Sequence, residues 1–319
     1  SRGCARKGTG SMAKAPLKIA LYHWITSIKG SIERIAELLE CDAIDIHVCK
    51  DMPDWTQFDG AILNNDFRPL PIPRITYLTG MTVRRVLANP EYTRARLKQA
   101  DHRGVWTNSN TAALVLRGVG IEASCHYRPY PVHLAEAPPP LPDEARVLWY
   151  WKPDWAYCSG LDEQILEAML AVANAGIEIW VISNKGAPVR GLPEHPHIRA
   201  LGRCNFREVL PQVRGMVRLT GDLDWGRSNF DVVSAGRWTF NLNAWEFPAE
   251  EGVFTLAGPA GEQRYHVMSA DSVTSAIPKI IALAHAQYDT QAIHRYASAM
   301  FEENRLRDYW QSEIKRVFQ

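Results

Sequence analysis

The sequence predicts an α/β protein built from two doubly wound domains in tandem. Short apolar runs of four to seven residues alternate with helical or turn segments, a rhythm that crosses over from one parallel strand to the next. The alternation stops at Ala135-Glu136-Ala137-Pro138-Pro139-Pro140-Leu141-Pro142, where four prolines in five residues exclude helix and ladder alike, and then begins again. At 319 residues the chain is long enough for two cores. Its 46% hydrophobic and 22% charged content suits packed domains rather than a disordered chain.

In the first half, Leu17 to Tyr22 reads as a buried opening strand. A polar turn follows, then a helix with Ile32, Ile35, Leu38 and Leu39 at helical spacing. Ala43 to Val48, Phe58 to Leu63 and Arg74 to Leu78 are further strands. Gly104 to Ser109 reads as a strand ending in an N-cap, and its helix stops at Gly118 and Gly120. In the second half, strands are expected at Arg146–Tyr150, Ile177–Ile182, His197–Leu201 and Met216–Leu219, and from Ser275 onward helices, the last running from Phe301 to Phe318. The expected division is a disordered appended tail at 1–12, a first domain at 13–137, a linker at 138–144, a second domain at 145–295, and a helix at 296–319 that packs back on the first domain.

Composition narrows the function classes. The 36 Lys+Arg nearly balance 35 Asp+Glu, so the whole molecule is not drawn to polyanions. Six cysteines with no C-x-x-C spacing read as reduced thiols of a cytoplasmic protein. No apolar run reaches the ~20 residues that span a bilayer. The 11 Trp supply flat rings suited to stacking on a sugar or base. The stretch from Arg68 to Arg103 holds eight Lys/Arg against two acids, which reads as a solvated basic face, a polyanion-binding face or an anionic-membrane contact.

Doubly wound sheets bind ligands beyond the carboxyl ends of their strands, where helix N-termini offer free amides to anions. The chain has no G-x-x-x-x-G-K-[ST] and no G-x-G-x-x-G, which disfavours a P-loop kinase and a simple dinucleotide dehydrogenase. The informative stretch is Arg218 to Arg237. A strand there runs into a Gly/Ser/Asn-rich turn and a helix is expected from about Asn229. Amides at Gly226 to Asn229 suit a diphosphate, Arg227 adds charge, the Ser228 hydroxyl can cap or donate, and Asp231 can accept from ribose hydroxyls.

From Ala100 onward the order of these pieces resembles the large retaining GT-B glycosyltransferase family that includes glycogen- and sucrose-forming enzymes. The resemblance rests on Ala100-Asp101 through Ser109, Gly118 to Ile121, Arg128 to Val132, Ile198 to Gly202, Phe206 to Leu210, and Asp231-Val232-Val233-Ser234-Ala235-Gly236-Arg237. It covers about two thirds of the chain and implies two Rossmann-like domains facing across a cleft, with terminal helices crossing back. It implies a nucleotide-sugar donor, a UDP-sugar foremost, in the second domain; no tightly bound cofactor is expected, and no metal either, since the one Asp-x-Asp is Asp222-Leu223-Asp224, a pair that could bind Mg²⁺. Asp231 stands where the second acid of that family's paired-glutamate motif stands. The first position falls on Asp222 or Asp224 one residue out of register, and Thr79 stands where many members carry histidine.

Around this core, Lys152 and Lys185 follow strands and are placed to meet the diphosphate. Gly202, Arg203 and Asn205 are placed to touch the base. His23 and Asp66 are the candidate bases for an inverting reaction; a retaining one needs neither, because the leaving phosphate takes the acceptor proton. The expected activity is sugar transfer, hexosyl foremost, to a hydroxyl on a polyanion such as hydroxymethylated phage DNA, on a glycolipid or on a polysaccharide. The alternatives are a sugar-nucleotide epimerase of the same fold and a non-catalytic homologue that binds a sugar-nucleotide or polyanion.

Overall fold

The computed structural model describes residues 15–23, 29–79, 81–98, 101–126, 137–151, 161–183, 189, 191–202, 204–219, 226–242, 254–258, 261–265, 268–270, 272–300 and 302–319. The first unit runs β1 (Leu17–Tyr22), α1 (Lys29–Leu39), β2 (Ile44–Cys49), β3 (Gly60–Asn64), β4 (Arg74–Leu78), α2 (Met81–Ala88), α3 (Pro90–Leu97), β5 (His102–Thr107), α4 (Asn110–Gly118) and β6 (Ala123–Cys125). Its sheet has the order β2-β1-β3-β4-β5-β6, every pairing parallel. The order reverses between β1 and β3, which makes that gap the switch point.

The second unit runs β7 (Arg146–Trp151), α5 (Asp162–Asn174), β8 (Glu178–Ser183), β9 (Ile198–Gly202), α6 (Phe206–Val209), β10 (Gly215–Arg218), α7 (Gly226–Ser234) and β11 (Trp238–Leu242). After it come β12 (Phe254–Gly258), β13 (Gly261–Tyr265), β14 (Met268–Ala270), α8 (Val273–His285), β15 (Gln287–Tyr288), α9 (Thr290–Met300) and α10 (Glu303–Phe318). Its parallel sheet reads β14-β11-β10-β7-β8-β9, with the switch point between β7 and β10, while β13-β12-β15 form a small antiparallel sheet.

Apolar alternation decides which face each strand residue covers. Val147, Trp149 and Trp151 of β7 join Met169 and Val172 of α5 and Ile280 of α8 on one face. Leu148 joins Met216 of β10 and Val232 of α7 on the other. Burial on both sides is why these strands read as unbroken apolar runs. In the first unit, Ile19 and Leu21 pack against Ile32, Ile35 and Leu38 of α1, and the same cluster takes Trp310 and Ile314 of α10. The expected return of the last helix to the first unit is therefore seen. Arg34 adds ion pairs to Glu37 and to Glu303 (2.8 and 2.7 Å).

The proline stretch is more than a spacer. Fully buried Arg237 donates to the carbonyls of Leu210, Pro139 and Pro140 (3.2, 3.1 and 2.7 Å), and Arg214 donates to those of Pro142 and Ala286 (2.7 Å each). Gly236 is required beside them. Its φ of +70° lies in the left-handed region, and an added Cβ would sit 2.6 Å from the Thr290 carbonyl oxygen. Among the described residues no helix is long and apolar enough to cross a membrane.

Candidate active site

The second switch point gathers the chemistry. Helix α7 begins at Gly226, three residues earlier than the sequence led us to expect, because Ser228 and Asn229 lie inside its first turn rather than capping it. The amides of 226–228 precede the first i→i−4 bond of the helix and stand at its positive end.

Ser228 accepts a 3.4 Å contact from Arg218, the last residue of β10. The Arg218 guanidinium lies over the Tyr150 ring at 5.0 Å, next to the end of β7. Arg218 is 5% exposed, so a cation is held almost out of water where the sheet order reverses. Sequence reasoning passed over it as the closing residue of a strand; its charge in an otherwise apolar Met-Val-Arg-Leu run was the available signal. Asp231 is half-buried and lies three and four residues beyond Ser228 and Arg227, which puts it on their face of the helix.

Asn229 faces the other way. Its side chain is buried, donates to Asn241 (3.1 Å) and accepts from Thr239 (2.6 Å), so it ties α7 to β11. Gly202 ends β9 with φ +66°. Asn205 caps α6, accepting from the Arg207 amide (3.1 Å) and donating to Glu208 (2.8 Å). Lys152, Lys185, Arg203, Asp222 and Asp224 lie outside the described residues, as does the side chain of Arg227.

In the first unit His23 directly follows β1 at that sheet's switch point. It is 3% exposed, and neither ring nitrogen has a hydrogen-bond partner among the described residues. Asp66 is engaged by its neighbour. Its carboxylate accepts from the Arg68 amide and guanidinium (2.8 and 2.7 Å), and Arg68 stacks over Tyr22 at 5.0 Å. Thr79 is committed to Asn65: its hydroxyl accepts from, and its amide donates to, the Asn65 side chain (2.8 Å each). The basic run is likewise partly spent inside the protein. Arg74 is fully buried, Arg68 faces Asp66, and Arg94 faces Glu91.

No protein-family model matches the sequence, and no curated protein sequence does either. Solved structures do match in fold. Anabaena Alr3699/HepE in complex with UDP-glucose aligns with a TM-score of 0.60 at 11% identity, over 94% of this chain and 100% of that one. The lipopolysaccharide outer core galactosyltransferase WaaB gives 0.60 at 11%, over 92% and 99%. TarM gives 0.52 at 10%, over 82% of this chain, which spans about half of TarM's length (54%). The architecture is thereby GT-B, two Rossmann-like units. These likenesses establish the fold and do not single out the glycogen- and sucrose-forming family.

Proposed function

We propose that this chain is a glycosyltransferase that moves a hexose from a nucleoside-diphosphate donor, a UDP-sugar, to a hydroxyl, with retention and without a metal. The observation that carries the reading is the convergence at the second switch point of the N-terminus of α7, the nearly buried cation Arg218, and Ser228 and Asp231 on one face of that helix. Fixed donors and a cation in a dry site stabilise an anion most where its charge grows, and a departing diphosphate is such an anion.

In this mechanism the bond from the sugar's anomeric carbon to the diphosphate oxygen breaks, and that oxygen's charge is met by the positive end of α7 with Arg227 and Lys152. Asp231 accepts from the ribose hydroxyls. Gly202 leaves room for the base, with Arg203 and Asn205 to touch it, and Lys185 joins Lys152 at the diphosphate. The leaving phosphate oxygen takes the acceptor's proton as the acceptor oxygen bonds to the anomeric carbon. In an inverting variant that proton would go to His23 instead, whose ring sits at the first switch point with no hydrogen-bond partner among the described residues. The internal partners of Arg68, Arg74 and Arg94 argue for a small hydroxyl acceptor, glycolipid or polysaccharide, over a DNA strand. Cys41, Cys49 and Cys204, each an unpaired thiol, suit a reducing cytoplasm.

A thermal-shift panel with UDP, GDP, ADP, CMP and TDP tests the reading. A ligand at ~100 times its dissociation constant adds about 2.7 kcal/mol of stability. A shift with UDP or UDP-glucose is expected; no shift with any nucleotide would refute the donor site. Incubation with the donor alone separates transfer from epimerisation, since a new sugar-nucleotide would mark an epimerase.

A further inference from the structure

The connections β2–β3 and β3–β4 carry no crossover α-helix. The first holds a short 3₁₀ turn at Trp55–Gln57, and the second is irregular, carrying Pro69, Pro71 and Pro73 and bending at 71–72. Where helices would otherwise cover the sheet, a cavity of about 440 Å³ opens between these loops and α3, lined by Met52, Trp55, Asp66, Arg68, Tyr92 and Arg96 among others. That volume lies within the ordinary range for small-ligand sites.

Two features of the lining specify a ligand. Met52 is 63% and Tyr92 55% exposed, and with Trp55 they offer flat and apolar surface that a sugar ring's C–H face can cover. The charges are not equivalent. Arg68 is neutralised by Asp66, whereas Arg96 stacks over Tyr92 at 5.1 Å and has no carboxylate partner among the described residues. One uncompensated guanidinium beside an aromatic face fits a ring bearing one anionic group.

The wall is held in place before any ligand arrives. Asn65 has a left-handed φ of 57°, rare for a residue with a side chain, and is kept there by its two bonds with Thr79 and by its amide donating to the Tyr77 carbonyl (2.8 Å). Tyr22 connects the pocket to the first switch point. Its ring meets Trp55 edge-on at 5.9 Å and carries Arg68, and the next residue is His23.

We infer that this pocket binds a pyranose carrying a single carboxylate or phosphate, as the recognition subsite for an acidic acceptor. Calling it an acceptor subsite rests on the transferase reading above; the binding itself does not.

The test is saturation-transfer NMR and titration of the full chain with methyl glucuronide, glucose 6-phosphate and methyl glucoside, with UDP affinity measured alongside. At least one charged sugar should bind about tenfold tighter than methyl glucoside, the worth of one charge-assisted hydrogen bond; the tighter of the two names the anion. Arg96→Gln should abolish that preference, and Tyr92→Ala should weaken all three sugars, both with UDP affinity unchanged, which also reports that the variants are folded. Equal binding of charged and neutral sugars, or no sugar binding by a chain that binds UDP, overturns the inference. So does Arg96-dependent cosedimentation with phosphatidylglycerol vesicles in the absence of sugar binding, which would make the rim a membrane contact. Loss of UDP binding alone would instead overturn the donor site.

Discussion

Replacing Arg237 by methionine removes the clamp on the proline stretch while keeping an unbranched apolar stem. The buried guanidinium makes three hydrogen bonds, to the carbonyls of Leu210, Pro139 and Pro140. Burial pulls its pKa below the usual arginine value, and the nearby Tyr288 partly offsets this. In the variant the Leu210 carbonyl loses its donor in a buried site, and those of Pro139 and Pro140 lose theirs in part-buried ones. Each stranded acceptor costs roughly 1 to 3 kcal/mol, while removing a desolvated charge returns part of that. A net loss of roughly 3 kcal/mol follows, or roughly 6 to 12 °C in the melting temperature of a unit this size. Urea and thermal unfolding followed by tryptophan fluorescence would measure it, with exposed Arg207→Met as the control expected to change stability by less than about 0.5 kcal/mol. A loss below about 1 kcal/mol for Arg237→Met would mean that water reaches these carbonyls and that the stretch is a spacer after all.

Three further outcomes are expected. His102 and His126 are both held down to about 4, mainly by burial and, for His102, also by Arg74. Unfolded imidazoles take a proton near 6.5 while the folded ones stay neutral, so their contribution is full above that pH and is lost as pH falls from about 6.5 toward 4. Urea titrations should show roughly 2 kcal/mol lost per histidine between pH 7 and 5, and His126→Gln should remove one share; a flat profile would refute it. Gly60→Ala drives a methyl into the Phe318 ring and should cost roughly 1 to 3 kcal/mol, part of which Phe318→Ala in the same chain restores; strictly additive losses would deny the contact. Asp231→Ala should weaken UDP binding at least about tenfold in calorimetric titration, the worth of charge-assisted bonds to ribose hydroxyls; unchanged affinity would remove Asp231 from the donor site.

What the sequence disclosed depended on whether a residue's partner was local. β1, β3, β4, β7 and β8 are apolar over most of their length because both faces are covered, so periodicity found them. β11 escaped: Thr239 and Asn241 look like surface positions until their network with Asn229 on α7 is seen. The start of α7 was misplaced because Ser228 and Asn229 are favoured caps, whereas the helix opens on a glycine that carries no such signal. Charge counting from Arg68 to Arg103 gave a net sign but could not tell buried Arg74 or paired Arg94 from open Arg96. Arg218 and the arginine clamp were invisible for the same reason, since each acts on groups distant in the chain.

The return of α10 has a consequence for biosynthesis. Trp310 and Ile314 complete the cluster built on β1 and α1, yet they leave the ribosome long after the first sheet has been made. About 180 residues separate β6 from α10, and at ~5–20 residues per second the nascent first unit waits roughly 9 to 35 s with this cluster lacking Trp310 and Ile314. During that interval it is a client for holding chaperones, and the second unit can mature ahead of it. A circular permutant that places residues 303–318 before Leu17 would let the first unit close as it emerges, reversing the order in which the two units become protease-resistant during translation.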